Sequence, residues 1–228
     1  SNNVAIGYGA LGAEDGHGRN VAVGHNTLAT LNAGADGYNT AIGYVAGVLM
    51  TTGINNTLIG GLAGDALTTG SGNVAIGYNA LSTEDAHGRN IAIGFGALTT
   101  LNAGVDAYNV AMGYNAGYAV TTGTENTLIG GLAGDALTTG SANVAVGYLA
   151  LSAEDAHGTN TAIGFKTLRV QDAGANAYNV ALGYQAGENI STGVRNTIVG
   201  GSAGDATTSG GDNVVLGYNA FGANTIGN

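Results

Sequence analysis

The chain has no cysteine, no proline and no tryptophan, and only 9 % of its 228 residues are charged. Without cysteine there is neither a disulfide nor a thiolate metal site. Without proline, and with no strict three-residue glycine period, a collagen helix is excluded. Lys and Arg number 5 against 15 Asp and Glu, for a formal net charge of −10. Phosphate affinity comes from clustered basic side chains, so no nucleic-acid partner is expected. No apolar run approaches about 18 residues, which argues against membrane insertion. What is abundant is glycine, 43 residues, within a chain that is 44 % hydrophobic. Disordered chains show the reverse, low hydrophobicity with high net charge.

Self-comparison organises the sequence. An Asn followed by a short apolar segment and a Gly recurs at Asn3, Asn20, Asn39, Asn56, Asn73, Asn90, Asn109, Asn126, Asn143, Asn160, Asn179, Asn196 and Asn213. The spacings run 17, 19, 17 and 17 and then repeat, so four units make a block of 70 residues. Units this short leave no room for two helices, and no 3.6-residue apolar stripe is present. The N-V-A-I-G core reads as a strand of about four or five residues ended by Gly, and the TTG, AGAD and EDGHG stretches read as turns. A strand–turn unit at fixed period predicts an all-β parallel solenoid, a β-roll of about thirteen coils. It is expected to be one solenoid over residues 1–228, without separate caps.

Within a coil, the residue three places after each Asn is always apolar (Ile6, Val23, Ile42, Ile59, through Leu216). This column is expected in the core. The column one place after the Asn, Val or Ile alternating with Thr, is expected on the same face nearer the rim. The invariant Gly at the fourth place (Gly7 through Gly217) implies a tight bend or a close backbone approach. Two places after the Asn stands Ala, with Tyr, Phe or His three places later. In the fourth unit of each block this inverts, Leu58 with Gly61 and Leu128 with Gly131, which reads as constant volume in one packed layer. The thirteen asparagines are expected to stack as a ladder whose amides donate and accept along the axis. The alternative is that each merely starts a turn.

The N-V-A-I-G cores resemble the head repeats of trimeric autotransporter adhesins, which carry a similar N-S-V-A-I-G core. The longer NVAIGYNAL and NTAIGY segments resemble repeats of phage tail fibres, and of fibre proteins with a cleavable intramolecular chaperone. The adhesin units are shorter, near fourteen residues. The resemblance implies a left-handed β-roll that associates in threes. It also implies an extracellular place on a cell surface or virion, and a structural or adhesive role.

Independently of the resemblance, a thin coil has little interior to bury, and flat apolar columns invite close packing. Tyr8, Tyr44, Tyr78, Tyr114, Tyr148, Tyr184 and Tyr218 are amphipathic and suit a subunit boundary. A homotrimer is therefore expected, with a monomeric solenoid as the alternative. An end-to-end polymer joined through open solenoid ends is a further possibility, since the pattern runs in phase to Asn224-Thr225-Ile226-Gly227. Contact with a host-surface glycan or protein is expected at the variable turns, at Leu49, Met50, Tyr118, Glu188 and Asn189.

Several segments carry residues with chemical potential. Glu14-Asp15-Gly16-His17 recurs as Glu84-Asp85-Ala86-His87 and Glu154-Asp155-Ala156-His157. A carboxylate beside a His could hold a metal or carry a proton. Three repeated copies are unlike one catalytic centre, and these turns are expected to be solvated. Gly60-Gly61-Leu62-Ala63-Gly64-Asp65-Ala66-Leu67 approaches the calcium-binding nonapeptide, with the third Gly one place late. Asp65, Asp135 and Asp205 are accordingly weak surface-cation candidates. Thr-Thr pairs such as Thr51-Thr52 and Thr138-Thr139 suggest an ice-binding array, but Glu14 and Asp15 interrupt it. No nucleophile with an orienting base and no phosphate-binding loop is present. No enzyme activity and no cofactor are expected, a polysaccharide-cleaving solenoid being the remaining catalytic alternative.

Overall fold

The computed structural model describes residues 2–14 and 17–222. Asp15 and Gly16 of the first acidic turn, and Asn224 to Gly227, lie outside them. The chain is an all-β parallel solenoid of thirteen three-residue strands in two compact units. The first, up to Asn109, carries β1 (Val4–Ile6), β2 (Val21–Val23), β3 (Thr40–Ile42), β4 (Thr57–Ile59), β5 (Val74–Ile76) and β6 (Ile91–Ile93). The second, from Val110, carries β7 (Val110–Met112), β8 (Thr127–Ile129), β9 (Val144–Val146), β10 (Thr161–Ile163), β11 (Val180–Leu182), β12 (Thr197–Val199) and β13 (Val214–Leu216). Within each unit, strands pair in chain order and in one register. Val4 faces Val21 and Ala5 faces Ala22 in the first, and Val144 faces Thr161 and Ala145 faces Ala162 in the second. Like positions of successive coils are therefore neighbours.

The strand faces are reversed from the sequence expectation. The middle residue of the strand, two places after the Asn, points inward: Ala22, Ala41, Leu58, Ala75, Ala111, Leu128 and Ala145 are fully buried. The flanking Val/Thr and Ile columns point outward, and Ile42, Ile129 and Ile163 are 39 %, 36 % and 36 % exposed. The reason is the interior's other wall. The returning segment supplies buried residues seven, eight and eleven places after the Asn, such as Thr27, Leu28 and Leu31. With Leu entering from that side, a strand with one inward side chain has room for Ala more often than for Ile.

The volume exchange is real but couples a different pair. Gly61 lies on the outer side, where the Tyr78 ring passes 3.5 Å from the place of a Cβ. Leu58 and Leu128 instead compensate the glycine eight places after the Asn. A Cβ on Gly134 would meet Leu128 Cδ2 at 2.7 Å, and one on Gly64 would meet Leu58 Cδ2 at 2.9 Å. The first two coils of each block pair Ala in the strand with Leu at that eighth place, as Ala92 with Leu98 and Ala162 with Leu168. The third pairs Ala with Gly, as Ala41 with Gly47, and there the space is filled from the adjoining coils: a Cβ on Gly47 would meet Leu58 Cδ1 at 2.7 Å and Leu28 Cδ2 at 2.9 Å.

The glycine ending each strand is required by a close approach. Gly130 adopts φ +133°, and a Cβ there would lie 2.5 Å from the carbonyl oxygen of Gly147 in the next coil. The asparagines align in a buried column, and their bonds are chiefly to backbone. The side-chain oxygen of Asn39 accepts the N–H of Asn56 at 2.9 Å, and that of Asn126 accepts the N–H of Asn143 at 3.0 Å. The amide group closes the coil from within: Asn56 Nδ2 donates to the Gly70 carbonyl at 2.9 Å and Asn126 Nδ2 to the Gly140 carbonyl at 2.8 Å. Amide-to-amide bonds occur at single rungs, as from Asn39 to Asn20 at 3.2 Å. Each asparagine thus pairs polar groups that burial would otherwise strand.

Candidate functional site

The outward sheet face is an extensive candidate surface within each unit. Two of its columns, at the first and third places after the Asn, are aliphatic or Thr in every strand. A third, at the fifth place, carries Tyr, Phe or His in three coils of each block and is broken by Gly61, Gly131 and Gly201 in the fourth. All seven candidate tyrosines are exposed: Tyr8, Tyr44, Tyr78, Tyr114, Tyr148, Tyr184 and Tyr218. This column follows directly on the glycine bend that ends each strand. Successive rings stack with small interplanar angles, Tyr8 on His25 at 5.4 Å and His25 on Tyr44 at 5.5 Å. In the second unit Tyr148 stacks on Phe165 at 5.8 Å and Phe165 on Tyr184 at 5.2 Å. His25 continues this stack as one of its rings. An antiparallel sheet with a wet face alternates apolar and polar residues. Here the outer face is apolar at every third-place residue.

The variable turns divide. Leu49, Tyr118 and Asn189 are exposed, and Glu188 accepts from Arg169 Nε at 2.8 Å. Met50 is fully buried, because it occupies the eleventh-place core column beside Leu31 and Leu67 in neighbouring coils. It is no contact residue. The threonine hydroxyls are engaged in the turns: Thr51 donates to the Thr68 carbonyl at 3.2 Å and Thr68 to the Asp85 carbonyl at 2.8 Å.

The acidic turns are only partly solvated, which corrects the sequence reading. Glu84 and Glu154 stand in the eleventh-place core column and are fully buried, whereas Asp85 and Asp155 are exposed. Glu84 accepts the N–H of His87 at 3.2 Å and of Ala103 at 3.3 Å. Glu154 accepts the N–H of His157 at 3.2 Å and Asn160 Nδ2 at 3.4 Å. Burial raises the Glu84 carboxyl above its ordinary range. It pushes that of Glu154 up to about 7, with the negative charges of Asp172 and Asp155 adding to the effect against the His157 N–H. In each turn the imidazole Nδ1 lies near the buried carboxylate, 3.7 Å for His87 and 3.6 Å for His157.

Asp65, Asp135 and Asp205 are half-buried, each with a buried Oδ1 that has no hydrogen-bond partner. Burial raises the carboxyls of Asp65 and Asp135. Among the described residues none of the three joins a group of three or more potential metal ligands.

Two polar clusters went unread in the sequence. Arg19 reaches Asp36 at 3.2 Å and lies over the Tyr38 ring at 5.3 Å. Arg89 does the same with Asp106 at 3.0 Å and Tyr108 at 5.4 Å. Their signal is an Arg immediately before the ladder Asn of coils 2 and 6, whose 19-residue length brings Asp and Tyr back beneath it. In the third block Thr159 and Asn176 replace the charged pair.

Among the described residues no helix is long and apolar enough to cross a membrane. No family model, no curated protein and no solved structure matches the chain.

Proposed function

We propose that the chain is a non-enzymatic structural and adhesive segment of an extracellular fibre, carried on a cell surface or virion, in which three copies pack side by side as left-handed solenoids. The observation that supports this reading is the uncovered outer sheet face of each unit, aliphatic throughout the third-place column, aliphatic or Thr in the first, and bordered by stacked aromatic rings. Contiguous apolar surface of this kind marks an association site. Aromatic residues with one polar edge suit its border. Lateral packing would cover the columns that the thin interior has no room for. Repeated exposed turns, at Leu49, Tyr118 and Asn189, would then meet a host glycan or protein many times over, so that weak contacts gain by multivalency.

Sedimentation equilibrium of the purified chain tests the reading. The expected mass is three times the 22.2 kDa of one chain. Ile76→Asp with Ile129→Asp, one change in each unit's outer column, is expected to yield monomers that keep the parent's far-UV spectrum. A parent that stays monomeric at tens of micromolar overturns the proposal. Open-ended polymers instead of a discrete species would point to the head-to-tail filament.

A further inference from the structure

The third acidic turn repeats the Glu-Asp-Ala-His of the second but gains a carboxylate from the next coil. In the second, Glu84, Asp85 and His87 bring three donor atoms together. In the third, Glu154, Asp155 and His157 are joined by Asp172 from the next coil, and all four donor atoms lie within 4.8 Å of one another. The counterpart of Asp172 in the second block, twelve places after Asn90, is Asn102.

Three features separate this cluster from ordinary surface acid. Glu154 is fully buried and fixed by two hydrogen bonds, one to each oxygen, so each oxygen keeps a lone pair free. His157 Nδ1 is buried and has no hydrogen-bond partner, although it lies 3.6 Å from Glu154 Oε1. A buried nitrogen without a partner is rare unless something else satisfies it. Moreover, neither Asp155 nor Asp172 has an ion-pair partner among the described residues.

We infer that Glu154, Asp155, His157 and Asp172 form a binding site for a first-row divalent transition ion such as Zn2+, clamping the turn of one coil to the turn of the next. One imidazole nitrogen with carboxylate oxygens suits such an ion. The imidazole argues against Ca2+ and Mg2+, which take oxygen ligands. Ligand atoms of one such ion, bound at about 2.0–2.2 Å, lie about 3–4 Å apart, so small rotations of the two exposed aspartates complete the set.

The experiment is calorimetric titration of the chelator-treated full chain with ZnCl2, with a thermal melt alongside. The parent is expected to bind one equivalent per chain and to melt higher with Zn2+. Asp172→Asn copies the second block at an exposed residue, and is expected to weaken binding at least tenfold without lowering the metal-free melt. His157→Gln should weaken it as well. Asn102→Asp should build the fourth ligand into the second turn and raise the stoichiometry from one to two. The inference is overturned if the parent shows no saturable Zn2+ binding, or if Asp172→Asn and His157→Gln bind as the parent does. It is independent of whether the chain assembles in threes.

Discussion

The exchange between the strand residue and the eighth-place glycine can be tested as a swap. In the coil of β8, Leu128 fills the space over Gly134, so that a Cβ on Gly134 would meet Leu128 Cδ2 at 2.7 Å and Leu137 Cδ1 at 2.8 Å. Leu128→Ala removes a fully buried side chain and should cost about 2–5 kcal/mol. Gly134→Leu alone should cost about 1–3 kcal/mol in overpacking, and about 1–2 kcal/mol more because the position is left-handed, φ +57°. Made together, the changes reproduce the inner residues of the coil of β6: Ala92, Ala97, Leu98 and Leu101. There Leu98 already adopts φ +49° at the corresponding position. The double variant should therefore retain chiefly the left-handed cost, about 1–2 kcal/mol. The coupling between the two sites should be at least about 2 kcal/mol, within the range for residues in contact. Urea unfolding followed by far-UV circular dichroism, at one fixed protein concentration, reads all four corners of the cycle. Penalties that add to within about 0.5 kcal/mol would refute the account of the interior.

Two further outcomes follow from the buried polar groups. Asn126→Ala strands the Asn143 N–H and the Gly140 carbonyl, at 3.0 and 2.8 Å from their present partners. With about 1–3 kcal/mol for each buried unsatisfied group, the thermal midpoint should drop markedly. Amide exchange should quicken first at Asn143, and unchanged protection there would contradict the ladder. Asp135 has a carboxyl raised by burial, so its native form holds a proton more firmly than the unfolded chain does. Its contribution to stability is full below the unfolded pKa of about 3.9 and is lost as pH rises through the higher native value. Asp135→Asn should therefore stabilise the chain at neutral pH, with the advantage shrinking as pH falls toward 4. Melts across pH 4–8 would expose an advantage that grows on acidification instead, which would reverse the sign.

The period, the parallel stacking and the asparagine column are legible in the sequence because a fixed repeat places like residues in register, and register needs no knowledge of which side is inside. The side itself was misread. A strand such as Val74-Ala75-Ile76 offers large, small and large side chains, and size alone favours burying the large pair. What decides is the residue across the coil, and the deciding signal lies between the strand and the turn stretches: Leu28 and Leu31, Leu98 and Leu101, eight and eleven places after the Asn. The same column explains the misread acidic turns. Glu84 and Glu154 stand eleven places after their Asn, where neighbouring coils carry Leu67, Leu101 and Leu137, so the column predicts their burial once it is recognised as core. The gathering of Asp172 with His157 depends on side-chain reach between coils, which spacing along the chain does not encode.

The internal and external columns also vary differently, and that bears on assembly. Inside, the second-place residue ranges from Ala41 to Leu58, the eighth from Gly47 to Leu28, and the eleventh from Leu67 to Glu84 and Gln171. These exchanges are tolerated because each is offset within a coil or by the adjoining one. Outside, all thirteen third-place residues are Ile, Val, Leu or Met, and the first-place residues are Val, Ile or Thr. Water imposes no such rule, since a solvated face gains nothing from thirteen aliphatic side chains and risks aggregation through them. A face that must pack against copies of itself does impose one. There each rung meets the same environment, and no adjoining coil is placed to offset a change in shape. The uniform third-place column beside a variable interior is what the lateral packing proposed above would produce.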